Sequence, residues 1–232
     1  MYKKMIHKMV DLFGYSIQKK DYLLPRYWSN KTYAELRTLF HYDMFKKTEI
    51  LEGNIVEVGV ASGRAIAFLN NLSLQFGINK KIYGFDSFEG FSEPSKEDGD
   101  FFKNNFSRYK ESYAKFSINA VNRNLVDWCG SSDNVKNIKL CKGYIPESLS
   151  KYDGGKISLM NIDLDIYQPT LDSLRFFWPM LQKGGIMMLD EYDFGNDLEK
   201  WPGAKTAVDE FCEEVEIEVQ KHFTGRAFLI KT

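Results

Sequence analysis

The chain is poor in cysteine and close to neutral, and these two absences exclude several classes of protein. Its 232 residues include three cysteines, Cys129, Cys141 and Cys212, which lie far apart and have no CxxC spacing. They therefore indicate neither a disulfide framework nor a zinc site, and a reducing cytoplasm is the expected compartment. The formal net charge is −1, from 31 Lys and Arg against 32 Asp and Glu. That balance predicts neither nucleic acid nor an anionic membrane as a partner.

Long apolar runs are also missing. No stretch reaches the roughly 20 consecutive apolar residues that a membrane-spanning helix needs. Residues 1–13 start basic, as signal peptides do, but Lys8 and Asp11 interrupt the apolar part, so a short amphipathic helix is predicted instead. Hydrophobic residues make up 44% of the chain and aromatic residues 15%, which suffices for a packed core. We expect a single domain over 1–232, with a helical N-terminal extension at 1–50.

Beyond residue 50, strand and helix patterns alternate. Short apolar runs predict strands at 54–59, 81–86, 137–142, 156–163 and 186–190, and two more strands at 214–220 and 226–231. Helical patterns fall at 64–76, 169–182 and 204–213, and the segment 92–127 predicts a helical insert. The alternation predicts an α/β, Rossmann-like fold, with a seven-stranded, mostly parallel sheet and helices on both faces. Because the last two strands are joined by a short turn, we expect an antiparallel C-terminal hairpin.

A glycine-containing loop follows the first core strand, in the pattern Glu57-x-Gly59-x-x-x-Gly63. Glycines at this position let the backbone approach a ligand, and the N-terminus of the next helix offers N–H groups to a carboxylate. The pattern is not the G-x-G-x-x-G dinucleotide fingerprint. It predicts a nucleotide-like ligand, although a tight turn between strand and helix that binds no ligand would have the same sequence pattern.

An acid ends the second core strand, in Asp86-Ser87-Phe88. A carboxylate at this place, 20 to 30 residues after the glycine loop, is suited to accept hydrogen bonds from ribose hydroxyls. Phe88 is a candidate to stack on adenine. The alternative is structural, with Asp86 capping a turn and Phe88 in the core.

Carboxylates also follow the fourth and fifth core strands, namely Asp163 and Asp165 after the fourth, and Asp190 and Glu191 after the fifth. If these strands are neighbours, their ends lie about 5 Å apart. Like charges that close repel, and either proton sharing or a bound cation relieves the repulsion. An all-oxygen set suits Mg²⁺ better than zinc. The sequence therefore predicts a metal site, unless these acids cap helices or pair with Lys and Arg.

The ordered motifs resemble those of the macrocin O-methyltransferase family. The resemblance covers residues 50–232 and is carried by Gly84-Phe85-Asp86-Ser87-Phe88-Glu89-Gly90, Asp163-Leu164-Asp165-Ile166-Tyr167, Gly184-Gly185, Asp190-Glu191-Tyr192 and Pro202-Gly203-Ala204-Lys205-x-Ala207-Val208-Asp209-x-Phe211. It implies a class I methyltransferase fold and an enzyme that methylates sugar hydroxyls of natural products, with S-adenosylmethionine and Mg²⁺ as cofactors.

The resemblance also implies roles for individual residues. The metal ligands would be Asp163, Asp190 and Glu191, although the family usually has Asp where this chain has Glu191. The cofactor-binding residues would be Glu57, Gly59, Ser62, Gly63, Asp86, Ser87 and Phe88. The proton acceptor would be Asp163 or His222. His222 lies in the turn of the C-terminal hairpin, where the family often has an acid, and an exposed turn histidine without a catalytic role is the competing interpretation.

Aromatic residues in the insert 92–127 and in the segment 15–45 are candidates for a lid over a sugar acceptor. They equally suit burial on the sheet or a contact in a homodimer, which is the oligomeric state that base rates favour. Competing functions remain open at this point. They are a methyltransferase with an N- or catechol-type acceptor, a non-catalytic S-adenosylmethionine-binding protein and a nicotinamide dehydrogenase.

Overall fold

The computed structural model of the chain describes residues 15–17, 23–25, 30–192 and 197–232. The chain divides into two compact units, Met1–Phe40 and His41–Thr232. In the first unit, strands β1 (Tyr15–Ile17) and β2 (Leu23–Pro25) pair antiparallel. Helix α1 (Asn30–Thr48) begins in this unit and ends in the second.

The prediction that residues 1–50 are helical is therefore wrong for β1 and β2. Pro25 has no backbone N–H and disfavours helix in the residue before it, which is consistent with extended backbone at this point. The amphipathic helix expected over 1–13 lies outside the described residues. So do the aromatic side chains of the proposed lid that precede Ala34.

A seven-stranded sheet forms the centre of the second unit, in the order β5-β4-β3-β6-β7-β9-β8. The strands are β3 (Asn54–Val58), β4 (Ile82–Asp86), β5 (Ile138–Lys142), β6 (Ile157–Ile162), β7 (Leu181–Leu189), β8 (Gln220–Lys221) and β9 (Ala227–Ile230). Strands β3 to β7 pair parallel, whereas β9 pairs antiparallel with both β7 and β8. The predicted parallel sheet with an antiparallel C-terminal hairpin is confirmed.

Helices cover both faces of this sheet. They are α2 (Arg64–Gln75), α3 (Gly99–Ala114), α4 (Ile118–Cys129), α5 (Tyr167–Phe177), α6 (Asp197–Lys200) and α7 (Pro202–Glu214). From β3 the chain moves outward through β4 to β5, and from β6 it moves outward in the other direction to β7. Because crossovers are right-handed, the helices of the two halves lie on opposite faces. Accordingly α2 packs against α4, and α5 packs against α7.

The core lies along the central strands, as expected of parallel strands covered on both faces. Every residue of β3 and β6 is buried. Strand β7 starts at Leu181, five residues before the predicted strand, and its pairing with β6 is irregular between Leu181 and Ile186. In the described part of the chain, no helix is long and apolar enough to cross a membrane.

Candidate active site

The candidate site lies at the carboxyl ends of β3 and β6, where the order of the strands reverses. Open α/β sheets bind their ligands at this switch point. The first residue after each central strand extends the ladder of hydrogen bonds. Gly59 N–H donates to Phe85 O at 2.9 Å, and Asp163 N–H donates to Val58 O at 3.0 Å. These bonds hold the ends of the strands in line.

Gly59 marks the closest backbone approach at the switch point. Its φ is +85°, and a Cβ on it would lie 1.7 Å from the carbonyl oxygen of Asp163. No residue other than glycine is compatible with both the angle and the space. The glycine loop and the first acid of the carboxylate cluster are thus in direct contact.

The rest of the glycine loop leads into α2 and contacts helix α4. Gly63 has φ +87° and precedes α2, and a Cβ on it would meet Val121 and Leu125 of α4 at 3.0 and 3.2 Å. The carbonyl of Ser62 accepts a hydrogen bond from Asn124 Nδ2 at 3.1 Å. Ser62 and Gly63 therefore bring α4 against the loop.

Asp86 connects the loops that follow β3 and β4. One carboxylate oxygen accepts from Ala61 N–H at 2.9 Å, and the other accepts from Phe88 N–H at 2.7 Å. Burial raises the pKa of this carboxyl, and the hydrogen bonds from backbone N–H groups oppose that rise. The N–H of Val60 also donates to this carboxylate, and the hydroxyl of Ser87 lies 3.5 Å from one of its oxygens. Ser87 turns its hydroxyl to the carbonyl of Gly90, at 2.6 Å.

Two residues predicted to bind the cofactor are buried in the protein. Glu57 is 1% exposed and accepts a hydrogen bond from Asn161 Nδ2 at 2.8 Å across β3 and β6. Phe88 is 3% exposed and has φ +54°. Neither is among the residues that line the cavity described next, so their contact with a ligand stays a prediction.

A cavity opens along these strand ends, with about 660 Å³ of space including its mouth. Its walls come from the loops after β3, β4, β5 and β6, and from Phe91, Ser92 and Tyr113 of the insert. Both Asp86 and the pair Asp163 and Asp165 line it. One cavity therefore contains the predicted nucleoside acid and part of the predicted metal cluster.

Three carboxylates gather at one end of this region. Asp163, Asp165 and Glu191 each offer an oxygen, and these oxygens all lie within 4.8 Å of one another. Burial raises the pKa of Glu191 well above its usual value, and the charges of Asp163, Asp190 and Asp165 raise it further. Asp165 has φ +64°, in the left-handed region that Asp tolerates better than most residues. The arrangement concentrates negative charge in a setting that favours a proton or a cation.

Asp190, the remaining acid, has a different principal partner. Arg226 is 1% exposed and donates from one guanidinium nitrogen to the carboxylate of Asp190. The same nitrogen lies 3.5 Å from the backbone carbonyl of Asp190. Asp165 joins Asp163 and Glu191 in the compact group of oxygens, and Asp190 contacts both Arg226 and the side chain of Glu191. The predicted ligand set of Asp163, Asp190 and Glu191 stays a prediction.

His222 lies in the hairpin turn, as predicted, but it is buried. Its Nδ1 is 2.8 Å from the hydroxyl of Thr224, and its Nε2 is 3.0 Å from a carboxylate oxygen of Asp43 in α1. The backbone N–H of Thr224 also points at Nδ1, at 3.4 Å, so Nδ1 is the acceptor and Nε2–H donates to Asp43. His222 is not among the residues that line the cavity.

Helix α3 carries an aromatic cluster around Phe102, which is fully buried. Phe91, Tyr109 and Trp201 surround it, with ring centroids 5.2 to 5.9 Å away. Much of the aromatic content of the insert therefore packs the insert against the segment before α7. Phe91 and Tyr113 contact each other and also line the cavity.

Sequence reasoning missed Arg226, Asp43 and the loop after β5, which contributes Gly143, Tyr144 and Ile145 to the cavity. This loop could have been predicted, because it follows β5, which lies next to β4, and the parallel strands end at the same edge of the sheet. No local pattern distinguishes Arg226 or Asp43 from surface charges.

Comparison with known proteins identifies the family of the chain. The model of the macrocin-O-methyltransferase family matches residues 39–222. A mycinamicin III 3''-O-methyltransferase of Micromonospora griseorubida is 24% identical over 143 residues, which are 60% of this chain and 55% of that protein. A demethyldecarbamoylnovobiocin O-methyltransferase of Streptomyces niveus is 24% identical over 167 residues, 71% of this chain and 60% of that protein.

Solved structures give the same fold. The O-methyltransferase NovP superposes with a TM-score of 0.73 and 20% identity, covering 85% of this chain and 80% of its own. The calicheamicin methyltransferase CalS11 superposes with a TM-score of 0.69 and 20% identity, covering 99% of this chain and 92% of its own. The chain spans 55 to 66% of the length of the curated relatives that it matches.

Proposed function

The chain belongs to the macrocin O-methyltransferase family, and from this premise we propose that it transfers the methyl group of S-adenosylmethionine to a hydroxyl oxygen. The acceptor that we propose is a sugar or a glycosylated small molecule, because the relatives are named as methyltransferases of mycinamicin III, a rhamnosylated tetracenomycin and a novobiocin precursor. A divalent cation, Mg²⁺ or a similar ion, assists the reaction.

The observation that carries the proposal is the shared cavity. Asp86 and the glycine loop line one part of it, and Asp163 and Asp165 line another. A nucleoside held by Asp86 would therefore lie beside the carboxylates that handle the acceptor hydroxyl. Methyl transfer requires this proximity, since the reacting oxygen must approach the methyl carbon in line with the bond that breaks.

The residues of the cavity suit S-adenosylmethionine chemically. The carboxylate of Asp86 lines the cavity and would serve as a charged acceptor for the ribose hydroxyls. The loop around Gly59 and Ala61 presents backbone atoms with little side chain in the way, next to the N-terminus of α2. Ile145 and Phe91 supply apolar surface for the adenine.

The three clustered carboxylates fit a hard divalent cation. Opposite ligands of Mg²⁺ are roughly 4.2 Å apart, close to the 4.8 Å that encloses the oxygens of Asp163, Asp165 and Glu191. Burial is the main cause of the raised pKa of Glu191, and the charges of Asp163, Asp190 and Asp165 add to it; a bound cation would relieve the repulsion among these charges. When bound, such an ion would orient acceptor oxygens and lower the pKa of a hydroxyl.

The protein's own groups complete the chemistry. We propose that a carboxylate of the cluster, Asp163 or Asp165, takes the proton of the acceptor hydroxyl. Both ring nitrogens of His222 already have partners on this chain, which favours a positioning role over that of a base. Phe91, Ser92 and Tyr113 of the insert cover part of the cavity and would limit the access of water to the transfer.

Calorimetry with S-adenosylmethionine, followed by transfer of labelled methyl to a panel of sugar nucleotides and glycosides, tests the proposal. We expect saturable cofactor binding, and turnover that EDTA abolishes and Mg²⁺ restores. Asp163→Asn should abolish turnover while cofactor affinity changes little. Asp133→Asn, which alters an exposed acid that precedes β5 and does not line the cavity, should leave both unchanged.

Three results would argue for other functions. Absence of S-adenosylmethionine binding would refute the main proposal. Turnover that survives EDTA would point to a metal-independent transferase. Methylation of catechols or amines alone would show that the acceptor is not a sugar. A homodimer and a cytoplasmic location stay predictions, and light scattering after size exclusion tests the first.

A further inference from the structure

Asp98 is a buried carboxylate of the insert, in the single turn of 3₁₀-helix Lys96–Asp98 that precedes α3. It is 2% exposed. Its Oδ2 accepts from the backbone N–H of Ser95 at 2.7 Å and lies 3.0 Å from the hydroxyl of Ser95. Its Oδ1 accepts from the backbone N–H of Tyr167 at 2.6 Å. Because a buried carboxylate is costly without hydrogen bonds, these contacts hold the side chain in one place.

Tyr167 is the first residue of α5, and the helix receives its cap from Asp98. The residue before it, Ile166, has no polar side chain that could accept from the free N–H groups of the first turn. Asp98 supplies an acceptor from 69 positions away, and its negative charge suits the N-terminus of a helix. Ile166 ends the loop 163–166, which carries Asp163 and Asp165 and lines the cavity. Asp98 therefore fixes the far end of this acid loop.

Gly203, in the first turn of α7, meets the same contact from a third side. A Cβ on it would lie 1.9 Å from Oδ1 of Asp98 and 2.9 Å from the backbone nitrogen of Tyr167. Any side chain at this position would displace the carboxylate. The insert, the acid loop and α7 thus meet at a single buried acid.

The insert that contains Asp98 also forms part of the cavity wall. Phe91, Ser92 and Tyr113 line the cavity. Phe91 packs against Tyr113 and Phe102, with ring centroids 5.0 and 5.2 Å away, so this wall and the body of the insert are one packed unit. A shift of the insert against the acid loop would therefore change the width of the cavity.

We propose that Asp98 is a positioning residue for the acceptor, which holds the wall of the insert in register with the acid loop. It does not line the cavity, so it acts through the two segments that it joins. Its neighbours Ser95, Tyr167 and Gly203 lie outside the residues that we assign to the cofactor. Loss of the contact should therefore impair use of the acceptor and spare the cofactor. This inference rests on the methyl transfer proposed above.

Kinetics of the full chain test the inference, with the glycoside or sugar nucleotide of highest turnover in the panel above. Asp98→Ala and Gly203→Ala disrupt the contact from two sides. Each should lower kcat/KM for the acceptor about 10- to 100-fold, with unchanged S-adenosylmethionine affinity in calorimetry. Asp98→Asn keeps an acceptor oxygen and should lose less. Asp100→Asn, which alters an exposed acid of the same insert, is the matched control and should behave as the wild type.

Amide hydrogen exchange, followed by mass spectrometry without cofactor or acceptor, gives a readout that needs no turnover. Asp98→Ala should lose protection in two places together, the insert from 92 to 114 and the segment from 163 to 170. Gly203→Ala should show the same pattern, and it decides the question if Asp98→Ala fails to fold.

Two results would overturn the inference. The first is loss of protection confined to residues 95–98, which would make Asp98 a local cap. The second is a lower melting temperature with unchanged kcat/KM for the acceptor, which would make the contact purely structural. Failure of the proposed function is a separate result. A wild type that transfers no methyl would refute methyl transfer, and joint loss of protection would still support the coupling of the insert to the acid loop.

Discussion

The close approach of Gly59 to Asp163 makes Gly59→Ala the most direct test of the switch-point geometry. A Cβ would lie 1.7 Å from the carbonyl oxygen of Asp163, where real Cβ atoms stay beyond 3.0 Å, so backbone must move by more than 1 Å. The left-handed φ of +85° adds strain of about 1 to 2 kcal/mol, and overpacking costs about 1 to 3 kcal/mol more. We therefore expect the free energy of unfolding to fall by roughly 2 to 5 kcal/mol.

Gly155→Ala is the matched control for this variant. Gly155 also has a left-handed φ, +76°, but a Cβ there meets no atom within 4 Å. Only the conformational strain of about 1 to 2 kcal/mol should appear. Urea unfolding measures both variants, and calorimetry with S-adenosylmethionine should show loss of binding for Gly59→Ala alone. Equal destabilisation of the two variants would mean that the backbone around Gly59 and Asp163 can move apart at little cost, and would refute this argument.

Three further changes probe other parts of the molecule. Asp86→Asn removes a charged acceptor shared by two loops, and S-adenosylmethionine affinity should fall about 10- to 100-fold by calorimetry; unchanged affinity would exclude the ribose role. Burial lowers the pKa of Lys80 from 10.5 to about 8. Between pH 8 and pH 10.5, Lys80 is therefore more fully protonated in the unfolded chain than in the folded protein. The free energy of unfolding should therefore rise from pH 8 toward pH 10.5, and Lys80→Met should lose that rise in urea titrations. His222→Gln should cost about 1 to 3 kcal/mol of stability through its contacts with Asp43 and Thr224. The kcat should change little, whereas loss of turnover in a His222→Gln variant that still folds would restore His222 as the base.

The strands that carry the site were predictable because their signals are local. Parallel strands end at one edge, so acids that follow β6 and β7 must come close, whatever the details of packing. The pairing of β1 with β2 was not predictable in the same way, since three-residue strands leave almost no periodicity. Element boundaries shifted for the same reason, as the early start of β7 at Leu181 illustrates.

The pairing of Asp190 with Arg226 shows where sequence reasoning stops. Spacing alone cannot say which partners a carboxylate at the end of a strand will have. Arg226 is 36 positions from Asp190 and reaches it through the antiparallel return of β9 beside β7. Nothing in the neighbouring Gly225 and Ala227 marks a buried cation, so the pair becomes visible only in three dimensions.

The crowded carboxylates link metal binding to pH. The pKa of Glu191 is raised by burial and by the charges of Asp163, Asp190 and Asp165, so the folded protein binds this proton more strongly than the unfolded chain does. Without metal, stability from this group is present at low pH and is lost as the pH rises through the raised pKa. A cation relieves the same repulsion but competes with the proton. The increase in melting temperature that Mg²⁺ causes should therefore grow as the pH is raised, whereas an increase that does not depend on pH would mean that the cation binds away from Glu191.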